Sequence, residues 1–482
     1  MTTATQHKYE TVIGLEVHLQ LSTNTKMFCG CMNSFGQQPN TQVCPVCLGL
    51  PGSLPVVNKK ALDYAVRIGL ALNCKINSFI KFDRKNYYYP DCPKNYQISQ
   101  FDKPICYDGH IIIPLDGTKT KRIGITRAHL EEDAGKLIHA DNCSLVDYNR
   151  TGTPLIEIVS EPDLRSPQEA YDYLQTLKLI LSYLDVSDCD MEKGSLRCDA
   201  NVSIREAGAE KFGTKTELKN MNSFKAVRTA LEYEVVRQEK MVSAGEKITQ
   251  ETRLWDENKM MTVTMRSKEQ AHDYRYFPEP DLVPFTIQQA VIDGIKKDQP
   301  ELPDAKLERF TREYQLSEYD ARIIIQDVRM THFFEACGQI YKDYKKICNW
   351  LNGSVLQEIN DRKQTIGELN LTPQKLTDLI KQVDDSTVSQ LTAKDILKEM
   401  LDTGKDSGTI IDQKGLAQVS DEGVLVSIVD DLIKEHTAIV EQIKSGKESA
   451  VGFLVGQAMK KSQGKANPKK VGDIIKRRLL NG

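Results

Sequence analysis

Glu16, His18 and Gln20 alternate with Leu15, Val17, Leu19 and Leu21. A period of two puts a carboxylate, an imidazole and an amide on one face of a strand and the aliphatic side chains on the other. Glu and Gln are poor strand formers, but this trio suits a divalent cation and a charged substrate. An ordinary polar edge strand is the plainer alternative. Further acids occupy similar settings. Glu131, Glu132 and Asp133 close the alternating run 123–130, and three adjacent carboxylates repel one another unless a cation sits among them. Glu157 stands inside the apolar run 153–159, where a lone carboxylate is costly to bury unless it is paired or metal-bound. In the run 196–205, Arg197, Asp199, Asn201, Ser203 and Arg205 alternate with apolar residues and suit a polyanionic ligand. Glu16, His18, Glu131 or Glu132, Glu157 and Asp199 thus make an oxygen-rich set with one imidazole, fit for Mg²⁺ or Mn²⁺. Arg84, Lys85, Arg197 and Arg205 supply charge to neutralise phosphate oxygens, which points to phosphoryl transfer.

A second constellation is built from sulfur. Cys29-Gly30-Cys31 is followed, after twelve residues, by Cys44-Pro45-Val46-Cys47. This is the spacing of a four-thiolate zinc knuckle, with two redox-active pairs as the alternative. Four thiolates close the coordination sphere, so the expected role is structural. The loop 81–91 sets Tyr87, Tyr88 and Tyr89 beside Arg84 and Lys85; cations among aromatics suit phosphates or stacked bases, and a Tyr-rich loop packed on its own domain is equally open. The stretch 208–216 is one residue too long for a phosphate-binding Walker loop and lacks its strand–loop–helix setting. There is also no G-x-S-x-G elbow, no H-E-x-x-H helix and no Ser-Ser-Lys amidase loop. The chain is therefore expected to activate a substrate but not to hydrolyse an amide.

These residues need a framework to hold them. At 482 residues the chain is too long for one core. Alternating strands dominate its first part, with helices expected at 58–73, after the capping box Ser166-Pro167-Gln168-Glu169, and at 224–244. From about 295 strand signals fade and helices are expected at 306–314, 318–328, 331–348, 372–383 and 392–402, with a linker at 404–408. The net charge of −3 hides a basic end, in which Lys460, Lys461, Lys465, Lys469, Lys470, Lys476, Arg477 and Arg478 face a single acid, Asp473. A solvated helix face is the plainer reading of that end. No apolar run spans a membrane, residues 1–10 hold no signal segment, and most other cysteines stand singly as reduced thiols, so a cytoplasmic location is expected.

Several longer motifs carry a family resemblance. They are Tyr9–His18, Phe82–Tyr87, His129–Lys136, Gly152–Val159, Gly194–Asn201, Asp273–Asp281 and Gly452–Gly456. Over essentially its whole length the chain resembles the B-subunit family of heterotrimeric aspartyl/glutamyl-tRNA amidotransferases. The resemblance implies an α+β cradle domain similar to the glutamine synthetase catalytic fold (1–294, with the knuckle at 29–47), an all-α helical domain (295–407) and a small α-helical, tRNA-binding tail domain (408–482). It implies ATP- and Mg²⁺-dependent phosphorylation of the side-chain carboxylate of misacylated Glu-tRNA(Gln) or Asp-tRNA(Asn). Ammonia released from glutamine by a partner amidase (glutaminase) subunit then displaces the phosphate, and a small third subunit wraps the other two. The metal role carries over to His18, Glu132 and Glu157, with Glu16 beside them; strand alternation alone groups Glu131 with His129 and Arg127. Lys85, Tyr87 and Asp199 are the expected catalytic residues, and the ammonia tunnel is expected to open near Lys85–Tyr87. Arg84, Arg197, Asn201 and Arg205 are the expected ATP-binding set. Cys29, Cys31, Cys44 and Cys47 are the expected Zn²⁺ ligands, a feature of part of the family. A non-catalytic, zinc-containing RNA-binding scaffold is the alternative from another functional class.

Overall fold

The computed structural model describes residues 8–115, 119–267, 274–417, 422–445, 448–462 and 466–480. It divides into two compact units, Met1–Pro303 and Asp304–Gly482. The first is α+β and the second is helical.

The first unit is organised on Tyr9–Gln20, a central strand of a nine-stranded sheet. It pairs antiparallel with Pro154–Ser160 on one side and Leu196–Glu206 on the other. Thr120–Glu132 continues the sheet beyond Pro154–Ser160, and Thr216–Lys219 continues it beyond Leu196–Glu206. Thr216–Lys219 is parallel to Glu251–Asp256. Sequence alternation did not reveal these two strands or the hairpin that Glu251–Asp256 forms with Met261–Ser267. Leu15, Val17, Leu19, Ile156, Ile158, Cys198 and Ala200 turn to one face and are almost wholly buried. The helices Lys59–Ala71, Pro167–Leu184 and Phe224–Ser243 pack over that face. Burying each such aliphatic side chain stabilises the fold by roughly 1.5–3 kcal/mol. The other face keeps its polar side chains and is partly roofed by a small sheet of Asp83–Asn86, Tyr96–Ser99 and Phe277–Pro278.

Several boundaries differ from expectation for local reasons. Ser166 caps its helix by accepting from the Glu169 N–H, but Glu169 does not return the bond as a capping box requires. Its carboxylate accepts instead from the Arg165 N–H and pairs with Lys121, each at 2.7 Å. The helix expected over 318–328 ends at Ile325, and the one expected over 331–348 is two helices, Val328–Ile340 and Tyr344–Trp350. Asp327 and Asp343 are N-caps, each satisfying backbone N–H groups of the helix that follows. The linker expected over 404–408 is short, because Gly404 closes Gln390–Thr403 in the left-handed conformation and the next helix starts at Ser407. Near the C-terminus, Glu422–Glu435, Thr437–Lys444, Val451–Lys461 and Pro468–Leu480 share a core of Leu425, Val429, Leu454 and Val471. Asp273 and Lys465 lie outside the described residues.

Candidate functional site

The functional face is built by register. His18 lies opposite Arg197 on one neighbouring strand and Glu157 on the other, and Glu157 lies opposite His129 on the next strand. Glu131 is two residues beyond His129 and so shares its face. His18 Nε2 is 3.3 Å from Glu157 Oε2. His129 Nε2 is 3.8 Å from an oxygen of Glu131 and 3.8 Å from one of Glu157. One ligand atom each from His18, Glu131 and Glu157 falls within a 4.8 Å cluster. The small sheet brings Lys85 Nζ to 3.9 Å from Glu131 and the Ser99 hydroxyl to 3.3 Å, where it donates to the same carboxylate. Arg127 stands 3.7 Å from Glu157.

Burial favours the neutral form of a carboxylic acid. At Glu157 this is overcome by His129, His18 and Lys85, which hold its pKa well below the usual carboxylate range. Glu131 is also held down against burial, chiefly by Lys85 and then His129. Burial pulls His18 down, but its hydrogen bond to Glu157 and the charges of Glu157 and Glu131 hold the imidazole above its ordinary value. Two buried carboxylates kept ionised beside an imidazole form a donor set that fits Mg²⁺ or Mn²⁺. His129 Nδ1 is buried with no hydrogen-bond partner among the described residues, so this end of the site has polar capacity to spare. Glu16, by contrast, is raised by burial and by the charges of Glu157, Asp199 and Glu217.

His18 and Glu157 of this cluster form part of the floor of a cleft of about 470 Å³, with Glu131 behind them. Lys85, Arg127, Lys215 and Lys219 reach into it, and Phe101, Tyr274 and Tyr276 also line it. Phe101 and Tyr276 stack at 4.3 Å. The chemistry that fits is binding of a metal–polyphosphate by carboxylates below and cations around it.

Not all of the expected site residues meet there. Glu16, His18, Glu157, Lys85 and Asn201 line the cleft, and Asn201 donates to Glu16 at 2.9 Å. Asp199 faces Glu16 in register but is paired with Lys219. Arg197 borders the cluster while donating to Asp133 at 2.7 Å. Glu132 is not brought to the cluster. Alternation turns it to the opposite face, where it pairs with Lys94 and accepts from the Ile98 N–H at 2.9 Å; Glu131 stands where Glu132 was expected. Arg84 does not reach the cleft either. It makes a two-pronged ion pair with buried Glu279, at 2.7 and 2.8 Å, and lies over the Tyr96 ring. Arg205 is tied to Glu10 and covered by Phe212. Tyr87 turns away toward Asp91 and Cys92, and burial pushes its hydroxyl pKa up. Glu217 and Lys219 were missed because their strand was missed, although Thr216-Glu217-Leu218-Lys219 does alternate.

The four expected thiolates do converge, with their sulfurs within 4.8 Å of one another. Lys26 N–H donates to Cys31 O at 3.0 Å and closes the first turn. Pro45–Leu48 forms one helical turn, and the Cys44 N–H donates to Cys47 Sγ at 3.1 Å. Hydrogen bonding from Cys29 draws the Cys47 thiol down to about 5, and Lys26 adds to the effect. A closed set of four converging sulfurs fits structural Zn²⁺. Among the described residues no helix is long and apolar enough to cross a membrane.

Comparison with known proteins points the same way. Residues 11–293 match a family model described as the GatB/GatE catalytic domain, and residues 332–479 match one described as the GatB domain. The chain is 56% identical over 473 residues to the B subunit of the aspartyl/glutamyl-tRNA(Asn/Gln) amidotransferase of Caldanaerobacter subterraneus subsp. tengcongensis, covering 98% of this chain and 99% of that one. It is 52% identical to the protein of the same name from Carboxydothermus hydrogenoformans (98% and 99% covered). The same-named protein of Brevibacillus brevis is 54% identical (97% and 98% covered).

Proposed function

The chain belongs to the B-subunit family of aspartyl/glutamyl-tRNA(Asn/Gln) amidotransferases, and from that premise we propose that its open sheet face phosphorylates the side-chain carboxylate of misacylated Glu-tRNA(Gln) or Asp-tRNA(Asn). Carboxylate oxygen is a poor leaving group for an amine near neutral pH. Attack by that oxygen on the γ-phosphorus of ATP releases ADP and leaves an acyl phosphate. Attack by ammonia on the acyl carbon then releases phosphate and forms the amide.

His18, Glu131 and Glu157 would hold Mg²⁺, which on binding offsets charge on the phosphate oxygens. Lys85, 3.9 Å from Glu131, is placed to meet the same oxygens or the substrate carboxylate. Arg127, Lys215 and Lys219 give the cleft its remaining positive charge. Asn201 orients Glu16. The cysteine centre would hold Zn²⁺ and brace the loop 29–47. No amidase motif occurs in the chain, so ammonia would come from glutamine hydrolysed by an amidase partner, in an assembly completed by a small third subunit. The basic C-terminal helices are the proposed contact for the tRNA.

The observation that carries this reading is the convergence of His18, Glu131 and Glu157 under a cation-ringed cleft. A pure RNA-binding scaffold has no use for such a floor. The test mixes the chain with its partner subunits, ATP, Mg²⁺ and each misacylated tRNA, with either glutamine or ammonium chloride as the nitrogen source. Amidation matched by ADP release is expected from both nitrogen sources. Amidation that proceeds without ATP would refute the proposal.

A further inference from the structure

Lys26 is the least expected charge in the molecule. Its side chain is 0% exposed, among the largest fully buried side chains of the protein. An ammonium group has three donors and no acceptor. Lys26 Nζ aims at three acceptors: Gln42 O at 2.7 Å, Tyr148 O at 3.4 Å and Cys47 Sγ at 3.7 Å. Two are neutral carbonyls. Among the described residues no carboxylate is paired with it. Glu132, across Gly152 from Lys26, is taken by Lys94. Burying a lone cation is costly unless an anion balances it. Four thiolates around a divalent metal carry net negative charge, and this is the anion that Lys26 touches.

We infer that Lys26 is the resident counter-cation of the four-cysteine centre, a positioning residue whose ammonium donates to the Cys47 sulfur and sets how tightly the centre keeps its metal. The inference rests on reading the four cysteines as a zinc centre. Outer partners of this kind orient ligands and tune the metal they hold. An N–H donor draws electron density from the sulfur, and the positive charge offsets the excess of thiolate. The lysine also links separate parts of the chain. Its carbonyl acceptors lie on the knuckle loop and on the loop before Thr151, while the Met27 N–H donates to Gly152 O at 2.7 Å. Gly152 has a φ of +83°, and a Cβ at that position would meet Cys47 and Lys26, with Glu132 just beyond. The centre is thereby seated directly on the loop that leads into the strand carrying Glu157.

The test uses the full chain with zinc bound and compares the parent with Lys26→Met, which keeps the length of the side chain and removes its charge and donors. The variant should pass zinc to a chromogenic chelator about 10- to 100-fold faster. With cobalt in place of zinc, its thiolate-to-metal charge-transfer bands should shift, while the far-ultraviolet circular dichroism matches the parent. Lys26→Gln keeps donors without the charge and is read in the same way if the methionine variant does not fold. If neither folds, the parent decides: with cadmium-113 in the centre, a lysine proton should show coupling to the metal across the N–H···S bond, and absence of that coupling overturns the inference. Unchanged release and unchanged bands in a folded variant overturn the role of Lys26 and leave the zinc reading standing. A parent chain that binds no metal overturns both.

Discussion

Glu131→Gln and Glu132→Gln should differ sharply in turnover, although the two residues are adjacent. Glu131 shares the cluster with His18 and Glu157 and lies 3.9 Å from Lys85. At an effective dielectric near 20, two charges at that distance interact by about 4 kcal/mol. The glutamine amide keeps an oxygen but removes the charge that attracts both Mg²⁺ and the ammonium group. Loss of one preorganised electrostatic group from an active site typically costs about 10²- to 10³-fold in rate, or roughly 3–4 kcal/mol. Glu131→Gln should therefore lower tRNA-dependent ADP release by that factor and shift its Mg²⁺ dependence to higher concentration. Its melting temperature should fall as well, because ionised Glu131 balances buried Lys85 by more than it repels Glu157.

Glu132 holds no such position. Its partners are Lys94, on a side chain 6% exposed, and the Ile98 N–H. Removing one member of a buried pair costs about 3–5 kcal/mol. The glutamine can still accept from Ile98, so the lower end of that range applies. At about 2–4 °C per kcal/mol for a domain of this size, the melting temperature should fall by roughly 6–12 °C. Below that transition, turnover should stay within a few fold of the parent. The assay pairs ADP release, with partner subunits and misacylated tRNA present, with thermal unfolding of each variant. A folded Glu132→Gln chain without activity, beside a Glu131→Gln chain with full activity, would refute the assignment of the cluster.

Other perturbations test other parts of the molecule. Glu234 is buried with Arg237, Gln238, Thr216 and Thr262 around it, and against burial its hydrogen bond to Arg237 and those of its other neighbours hold its pKa below the ordinary value. Its contribution is present above the unfolded pKa of about 4.3 and is lost as pH falls through the lower folded value. Glu234→Gln should thus cost about 2–3 kcal/mol in urea unfolding at pH 7, with the deficit shrinking below about pH 4; a deficit independent of pH would show that its charge is not what stabilises. Cys44→Ser should release about one zinc per chain and lower the melting temperature before it affects chemistry, and a parent purified without metal would exclude the centre. Lys460 and Lys469 are exposed on the C-terminal helices. Their joint replacement by Ala should lower the salt dependence of tRNA binding by about two units of slope, and an unchanged slope would show that they are only solvated.

The legible part of this protein was what strand period and local chemistry determine. Leu15–Leu21 was readable because one face of the strand is sealed by helices and the other is not, so alternation survives in the sequence. The same rule already set Glu131 beside His129 and Arg127, and the register with Glu157 bears out that grouping. Glu132 came from family resemblance, and here it pairs with Lys94 instead of joining His18 and Glu157. The short strand at Thr216–Lys219 went unread because four residues carry too little period, and its parallel partner begins more than thirty residues later. The helix breaks at 327 and 343 were announced by Asp, but apolar spacing that runs through a break conceals the cap.

Charges were the least legible feature, because an ion's meaning lies in its partner and the partner is usually remote. Arg84 looked like a phosphate ligand beside Lys85 and the tyrosines. Its counter-charge, Glu279, is 195 residues away and is buried against the guanidinium. Arg205 meets Glu10 across the same separation in sequence. Lys85 has the opposite history. The three-stranded roof holds it over ionised Glu131 without closing on it, at 3.9 Å rather than hydrogen-bond length. Burial lowers a lysine's pKa, but Glu131 and Glu157 more than reverse this and keep Lys85 charged. It is therefore a cation held ready at the edge of an acidic floor. Its nearest ion pair is thus looser than the two-pronged one that holds the arginine beside it.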